Sequence, residues 1–149
     1  MITSVDIIPA TKDDASMLAD IRVEAMRPSL EALNRFDPAR ARQRFLSGFA
    51  EQDTFVICCQ NEVIGFYVLR DYVDHLYLDH LYIKNKFQGK GFGRKVIEHI
   101  QNIALNAEKA IKLIALRKSP ANDFYISAGF IFERTEGVDN YYIWQMSKA

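Results

Sequence analysis

Apolar and polar positions change period several times along the chain, and each change marks an element. Val5-Asp6-Ile7-Ile8 reads as a short strand that Pro9 ends. Thr11-Lys12-Asp13-Asp14 then opens a helix, because threonine can cap free amides and aspartates favour the positive end of a helix dipole. Leu18, Ile21 and Ala25 follow at helical spacing, and Pro28 ends or redirects the segment. Asp37-Pro38 repeats the start signal, with Phe45, Leu46 and Phe49 as the apolar face and Arg40, Arg42 and Arg44 as the solvated side.

The period then shortens. Phe55–Cys59 and Val63–Leu69 flank Gln60-Asn61-Glu62 and read as a hairpin, and a third strand runs from His75 to Ile83. Val96, Ile97, Ile100, Ile103, Ala104 and Ala107 predict a helix of about four turns. Ile111–Leu116 reads as a buried strand, and Pro120–Ala128 as a short helix stopped by Gly129. Phe130–Phe132 and Tyr141–Trp144 close the chain as two more strands. The order β-α-α-β-β-β-α-β-α-β-β predicts an α/β fold. It is a single-domain mixed sheet of about seven strands flanked by about four helices, spanning 1–149 without repeats or linkers.

Composition adjusts this picture at a few points. Hydrophobic residues make up 49% of the 149, enough for a packed core. Lys+Arg and Asp+Glu are both 19, a balance that argues against a general nucleic-acid binder. Cys58 and Cys59 are adjacent in an apolar run, which excludes a disulfide framework and suits strand packing. No charged-then-apolar leader opens the chain and no apolar run approaches the ~18 residues of a membrane span, so a cytoplasmic protein is expected. No zinc-like spacing joins histidines to cysteines, and no metal is expected.

The densest chemical signal is Lys84–Ile100, KNKFQGKGFGRKVIEHI. Amides in the first turn of a helix lack intrahelical acceptors, and the dipole adds roughly half a positive charge there. Glycines let backbone approach an anion, and Lys90 and Arg94 add mobile charge, so a phosphate or pyrophosphate is the natural guest. The P-loop pattern fails because Arg94 and Lys95, not Lys and a hydroxyl residue, follow Gly93. The dinucleotide pattern Gly-x-Gly-x-x-Gly fails too, since its third place falls on Arg94 or Val96. A plain glycine turn would join strand to helix without three glycines in five residues.

Gln88-Gly89-Lys90-Gly91-Phe92-Gly93 resembles Gln/Arg-x-x-Gly-x-Gly/Ala, the acetyl-CoA pyrophosphate loop of the GNAT superfamily of N-acetyltransferases. Ala121-Asn122-Asp123-Phe124-Tyr125 with Ala128-Gly129-Phe130 resembles that family's Ala-x-x-Phe-Tyr-x-x-x-Gly-Phe segment, at a fitting distance. The resemblance covers most of the chain. It implies a GNAT-like fold with a splayed central strand pair, and acetyl-CoA as co-substrate. It further implies direct attack of a primary amine, in a small molecule or an exposed amino group, on the thioester. By position, Leu81, Tyr82 and Ile83 would meet the pantetheine, while Gln88, Gly89, Lys90, Gly91, Phe92, Gly93 and Arg94 would hold the pyrophosphate. Where the family often has an asparagine on the pantetheine, this chain reads Lys118-Ser119-Pro120. Ser119 is the first substitute and Asn122 the second.

Tyr125 matches the family's proton donor to the leaving thiolate; as bare sequence it also suits a core aromatic beside Phe124. Asp79 stands where some members place an acid, to serve as base directly or through water, or only to attract a cation or pair with an arginine. His75 and His80 are alternatives, with alternation placing His80 on the face opposite Asp79. The acceptor region would fall at Met26–Glu31, Arg70–His75 and Tyr141–Trp144. The resemblance is compatible with a homodimer and calls for neither nucleic acid nor membrane. A second function class stays open: a non-catalytic acyl-CoA-binding or sensor domain. Free CoA released from acetyl-CoA in the presence of amines separates the two.

Overall fold

The computed structural model describes residues 4–145. They contain seven strands in one mixed sheet and four α-helices, the class and count that the hydrophobic pattern predicts. The strands are β1 (Asp6–Pro9), β2 (Thr54–Cys59), β3 (Glu62–Asp71), β4 (His75–Ile83), β5 (Ala110–Leu116), β6 (Ile131–Glu136) and β7 (Asp139–Trp144). The helices are α1 (Ala15–Ala32), α2 (Pro38–Ser47), α3 (Phe92–Ala107) and α4 (Ala121–Ser127). Strand order is β1-β2-β3-β4-β5-β7-β6. The described residues fall into two compact units, 4–68 with 80–93 and 69–79 with 94–145. Strands β3 and β4 contribute residues to both.

In the first unit, β1 and β2 pair antiparallel, as do β2 and β3. The hairpin turn puts Gln60 and Asn61 at φ +51° and +64°, a left-handed pair suited to a tight two-residue connection. Its core gathers Leu18 and Ile21 from α1, Phe45 from α2, and Val56, Phe66 and Val68 from the strands. Phe45 and Phe66 meet edge to face, with ring centroids 5.3 Å apart. The helix start is more compact than the sequence pattern predicts. Thr11 opens a short 3-10 turn over Lys12–Asp14, with the Asp14 carboxylate accepting from the Thr11 N–H at 2.9 Å, and α1 begins only at Ala15.

Pro28 does not end that helix. It lies inside α1, which runs on to Ala32. The ring withholds one N–H from the helical ladder, a local cost of about 3 kcal/mol that tertiary packing overrides here. Asp37 caps α2 as expected, accepting from the Arg40 N–H at 3.1 Å, with Pro38 at the first helical position. Arg42 departs from the expected solvated face. Its guanidinium reaches the Asp20 carboxylate and donates to Ser16 Oγ at 2.6 Å, tying α2 to α1.

In the second unit, β4 pairs parallel with β5 from His75↔Ala110 to Leu78↔Leu113. β7 lies antiparallel to β5 and to β6. β5 is not buried on both faces: Ile111, Leu113 and Ala115 alternate with the exposed Lys112 and half-buried Ile114. The inward row is buried, as are Val96, Ile97 and Ile100 of α3, all 0% exposed. β6 is longer than the Phe130–Phe132 expected, and every one of its residues is exposed, Ile131 and Phe132 included. Gly129 closes α4 at φ +94°, the left-handed conformation that glycine adopts without penalty.

Candidate active site

The glycine segment lies in the first unit, at the end of β4. Lys84 leads into a 3-10 turn over Asn85–Phe87, followed by the open turn Gln88–Gly91 and the first residue of α3, Phe92. Gly89 and Gly91 sit at φ +75° and +86°, where a side-chain-bearing residue is strained. Gly93 lies within the first turn of α3 instead. Phe92 is buried, its ring 6.2 Å from Phe87, so the loop has an apolar underside. Gln88 and Lys90 are exposed. The result is an α-helix of 16 residues whose first-turn amides follow two left-handed glycines, a chemistry suited to an anion.

Gln88 turns back on its own chain. Its amide Nε2 donates to the Ile83 carbonyl at 2.8 Å and to Asn85 Oδ1 at 3.3 Å. Leu81, Tyr82 and Ile83 are half-buried at the end of β4. Tyr82 shares its hydroxyl with His80 Nδ1 at 3.0 Å, and the His80 ring meets Phe45 edge-on at 5.3 Å.

The second unit holds the other expected residues. Tyr125 in α4 is 7% exposed and packs between Phe124 and Phe130, with ring centroids at 5.2 and 5.4 Å. Its carbonyl accepts from the Phe130 N–H at 3.0 Å, so the turn after α4 closes on it. Asp79 is held by Arg70 across the β3–β4 hairpin: Nε and Nη2 reach the same oxygen, Oδ2, at 3.0 and 2.9 Å. Tyr77, two residues before Asp79, has its phenol pushed up to about 12, first by burial and then by the Asp79 charge. His75 contacts Asp74 at 2.6 Å through Nδ1 and stacks on Tyr72. That hydrogen bond is the main reason the Asp74 carboxyl lies below its ordinary range.

Asn122 is committed on both sides of its amide. Nδ2 donates to the carbonyls of Leu116 and Ser119 at 2.8 and 2.9 Å. Oδ1 accepts from Tyr142 Oη at 2.8 Å and Asn140 Nδ2 at 2.9 Å. It thus laces the β5–α4 turn to β7, and Ser119 belongs to that network through its carbonyl and its hydroxyl. Arg94 is exposed and donates to the Ser127 carbonyl at 3.2 Å, at the negative end of α4. Sequence reasoning did not identify Arg70 as the partner of Asp79, Gln88 as a clamp on Ile83, or Tyr142 and Asn140 as partners of Asn122. Among the described residues, no group of three His, Cys, Asp or Glu is placed to hold a metal ion, and no helix is long and apolar enough to cross a membrane.

A strand end that turns through left-handed glycines onto the start of a long helix is a frame suited to binding a phosphate-bearing ligand. The family model described as the acetyltransferase (GNAT) domain matches residues 50–132, more than half of the chain and all of that frame. The chain belongs to this family, and it is a GNAT-type acetyltransferase. None of the curated proteins matches it in sequence.

Solved structures extend the likeness to the whole chain. The PaiA N-acetyltransferase of Thermoplasma acidophilum, solved in complex with coenzyme A, matches with TM-score 0.80 at 16% identity, covering 97% of this chain and 100% of that one. An acetyltransferase of Thermus thermophilus matches with TM-score 0.76 at 20% identity, covering 97% and 98%. A Bacillus anthracis protein solved with acetyl coenzyme A matches more narrowly, with TM-score 0.57 at 19% identity over 62% and 61%. At these identities the structural likeness is one of fold.

Proposed function

We propose that the protein moves an acetyl group from acetyl-CoA to a primary amine by direct attack, and that the transferase is the whole of residues 1–149, one domain. Membership of an acetyltransferase family supports the acyl donor, and two relatives of like fold were solved with coenzyme A or its acetyl ester. The observation that carries the reading is the pair of left-handed glycines, Gly89 and Gly91, leading into α3. In this reading the run Gln88–Arg94 holds the pyrophosphate, and the strand end Leu81–Ile83 lends backbone to the pantetheine.

The chemistry needs two proton movements. The amine nitrogen bonds to the thioester carbonyl carbon as the carbon–sulfur bond breaks, and the nitrogen sheds a proton while the thiolate gains one. Tyr125 is our donor to the thiolate. A phenol of ordinary pKa ~10 is well matched to a thiol of ~8.5. Asp79 is our base, directly or through a water, with Arg70 fixing its orientation. Ser119 and Asn122 act on the cofactor side, Asn122 by holding the turn that carries Ser119. As primary amines are cationic at neutral pH, the acidic and tyrosyl residues near Asp79 favour their approach.

The test is release of free CoA from acetyl-CoA across a panel of small amines and peptides. Turnover with at least one amine supports the transferase. Tight acetyl-CoA binding without thiol release from any amine would instead support a binding or sensor role.

A further inference from the structure

Two consecutive peptide groups at the end of β4 are seated by three different contacts within the first unit. The Lys84 N–H donates to the Ile64 carbonyl at 2.8 Å. Ile64 is itself the extra residue of a β-bulge, because the β2–β3 register shifts from Ile57↔Gly65 to Cys58↔Val63. The Ile83 carbonyl accepts the Gln88 amide at 2.8 Å. The Tyr82 carbonyl lies against Gly65 so closely that a Cβ there would stand 2.1 Å from its oxygen and 3.1 Å from Ile83 Cα. Gly65 lies mid-strand with neighbours Ile64 and Phe66 both 0% exposed. It is not among the positive-φ glycines, so the requirement there is for space and not for a left-handed turn.

We infer that Gly65 and Gln88 are positioning residues for acyl-CoA: together they set the height and twist of the strand end Tyr82–Lys84 on which the pantetheine backbone contacts depend. Strand alternation explains how. The Tyr82 carbonyl and Lys84 N–H point to the β3 edge, so the backbone groups of Leu81 and the N–H of Ile83 point to the other edge. Shifting the first set displaces the second. A methyl at Gly65 must move the Tyr82 carbonyl, because its nearest neighbour is backbone and not a flexible side chain. Gln88 acts at the other end of the same segment, fixing Ile83 as the chain enters the glycine turn. Neither residue needs to touch a reacting atom.

This inference rests on the acetyl-CoA reading, and the parent protein is the control that separates the two. The experiment measures acetyl-CoA affinity by calorimetry, with KM and kcat, for the parent and for Gly65→Ala, Gln88→Ala, Gln88→Glu and Gln88→Arg. If the parent does not bind acetyl-CoA, the functional reading fails first. Given a binding parent, Gly65→Ala is expected to weaken affinity about tenfold or more, as small misplacements do at preorganised sites, and to raise KM more than it lowers kcat.

Gln88→Ala and Gln88→Glu, which lack the donor, are expected to weaken affinity about fivefold, the worth of one hydrogen bond, while Gln88→Arg recovers most of it. In the double variant Gly65→Ala/Gln88→Ala the losses should fall short of multiplying, because both act on one segment. Gln88 is exposed, so its variants fold even where Gly65→Ala does not, and they decide the matter alone in that case. Folded variants with lowered Tm but parental acetyl-CoA affinity would overturn the proposal, leaving both residues as ordinary supports of the strand.

Discussion

Tyr125 carries the most specific chemical assignment at the level of single residues. Its ring is packed on two sides by Phe124 and Phe130, so Tyr125→Phe keeps the packing and removes one hydroxyl. If that hydroxyl protonates the departing thiolate, kcat and kcat/KM should fall together by about 10²–10⁴, with acetyl-CoA affinity nearly unchanged. Steady-state kinetics beside calorimetric affinity checks this; parental turnover with chemistry rate-limiting would make Tyr125 a core aromatic only. Asp79→Asn addresses the base. It should lower kcat/KM, whereas a parental kcat/KM would pass the role to a histidine or to water. A third residue governs stability. Tyr67 is 1% exposed, and burial raises its phenol to about 12. The folded state thus holds that proton more tightly than the unfolded chain, whose tyrosine titrates near 10. The resulting stability is complete below pH 10 and lost as pH climbs to 12, on the order of 2–3 kcal/mol. Chemical denaturation across pH 9–12 should show a loss smaller by this amount in Tyr67→Phe than in the parent, with Tyr77 keeping its own share in both.

The glycine turn is the element on which ligand binding depends most. Gly91 at φ +86° tolerates no β-branched side chain without strain, so Gly91→Val should reshape the turn ahead of α3. Acetyl-CoA affinity should drop at least about tenfold, as at other displaced anion sites, while the far-UV circular dichroism stays parental. Unchanged affinity would place the anion elsewhere. This turn was legible in the sequence because its glycines and lysines are clustered within a few residues, and so were α2, α3 and the β2–β3 hairpin, whose signals are local. What escaped was set by neighbours distant in sequence. Pro28 reads as an end or a redirection, but it lies inside α1, whose buried residues are Leu18, Ala19 and Ile21. For Asp79 the sequence offers pairing with an arginine but not which one, and the hairpin brings Arg70 beside it from nine residues back. Asn122 reads as the second substitute for the family's asparagine, and its hydrogen bonds to Leu116, Ser119, Asn140 and Tyr142 are ones that only the fold assembles. Gly65 did leave a trace, a lone glycine inside an apolar strand, which signals close backbone approach.

For the whole molecule, the family match rests on residues 50–132, and a likeness of fold alone covers 97% of the chain in two of the structures compared. α1 and α2 lie outside the family match. The central claim is therefore one of transfer: the acetyl group leaves sulfur and arrives on nitrogen. Thiol release alone does not establish it, since hydrolysis frees CoA as well. The most direct measurement supplies acetyl-CoA labelled with carbon-13 in the acetyl group, together with an amine that stimulates thiol release, and follows the label by NMR. The label should appear as an N-acetyl amide in step with free CoA, and the Tyr125→Phe enzyme should form it more slowly by about 10²–10⁴. Label recovered only as acetate, or retained on CoA with every amine, would contradict the transfer.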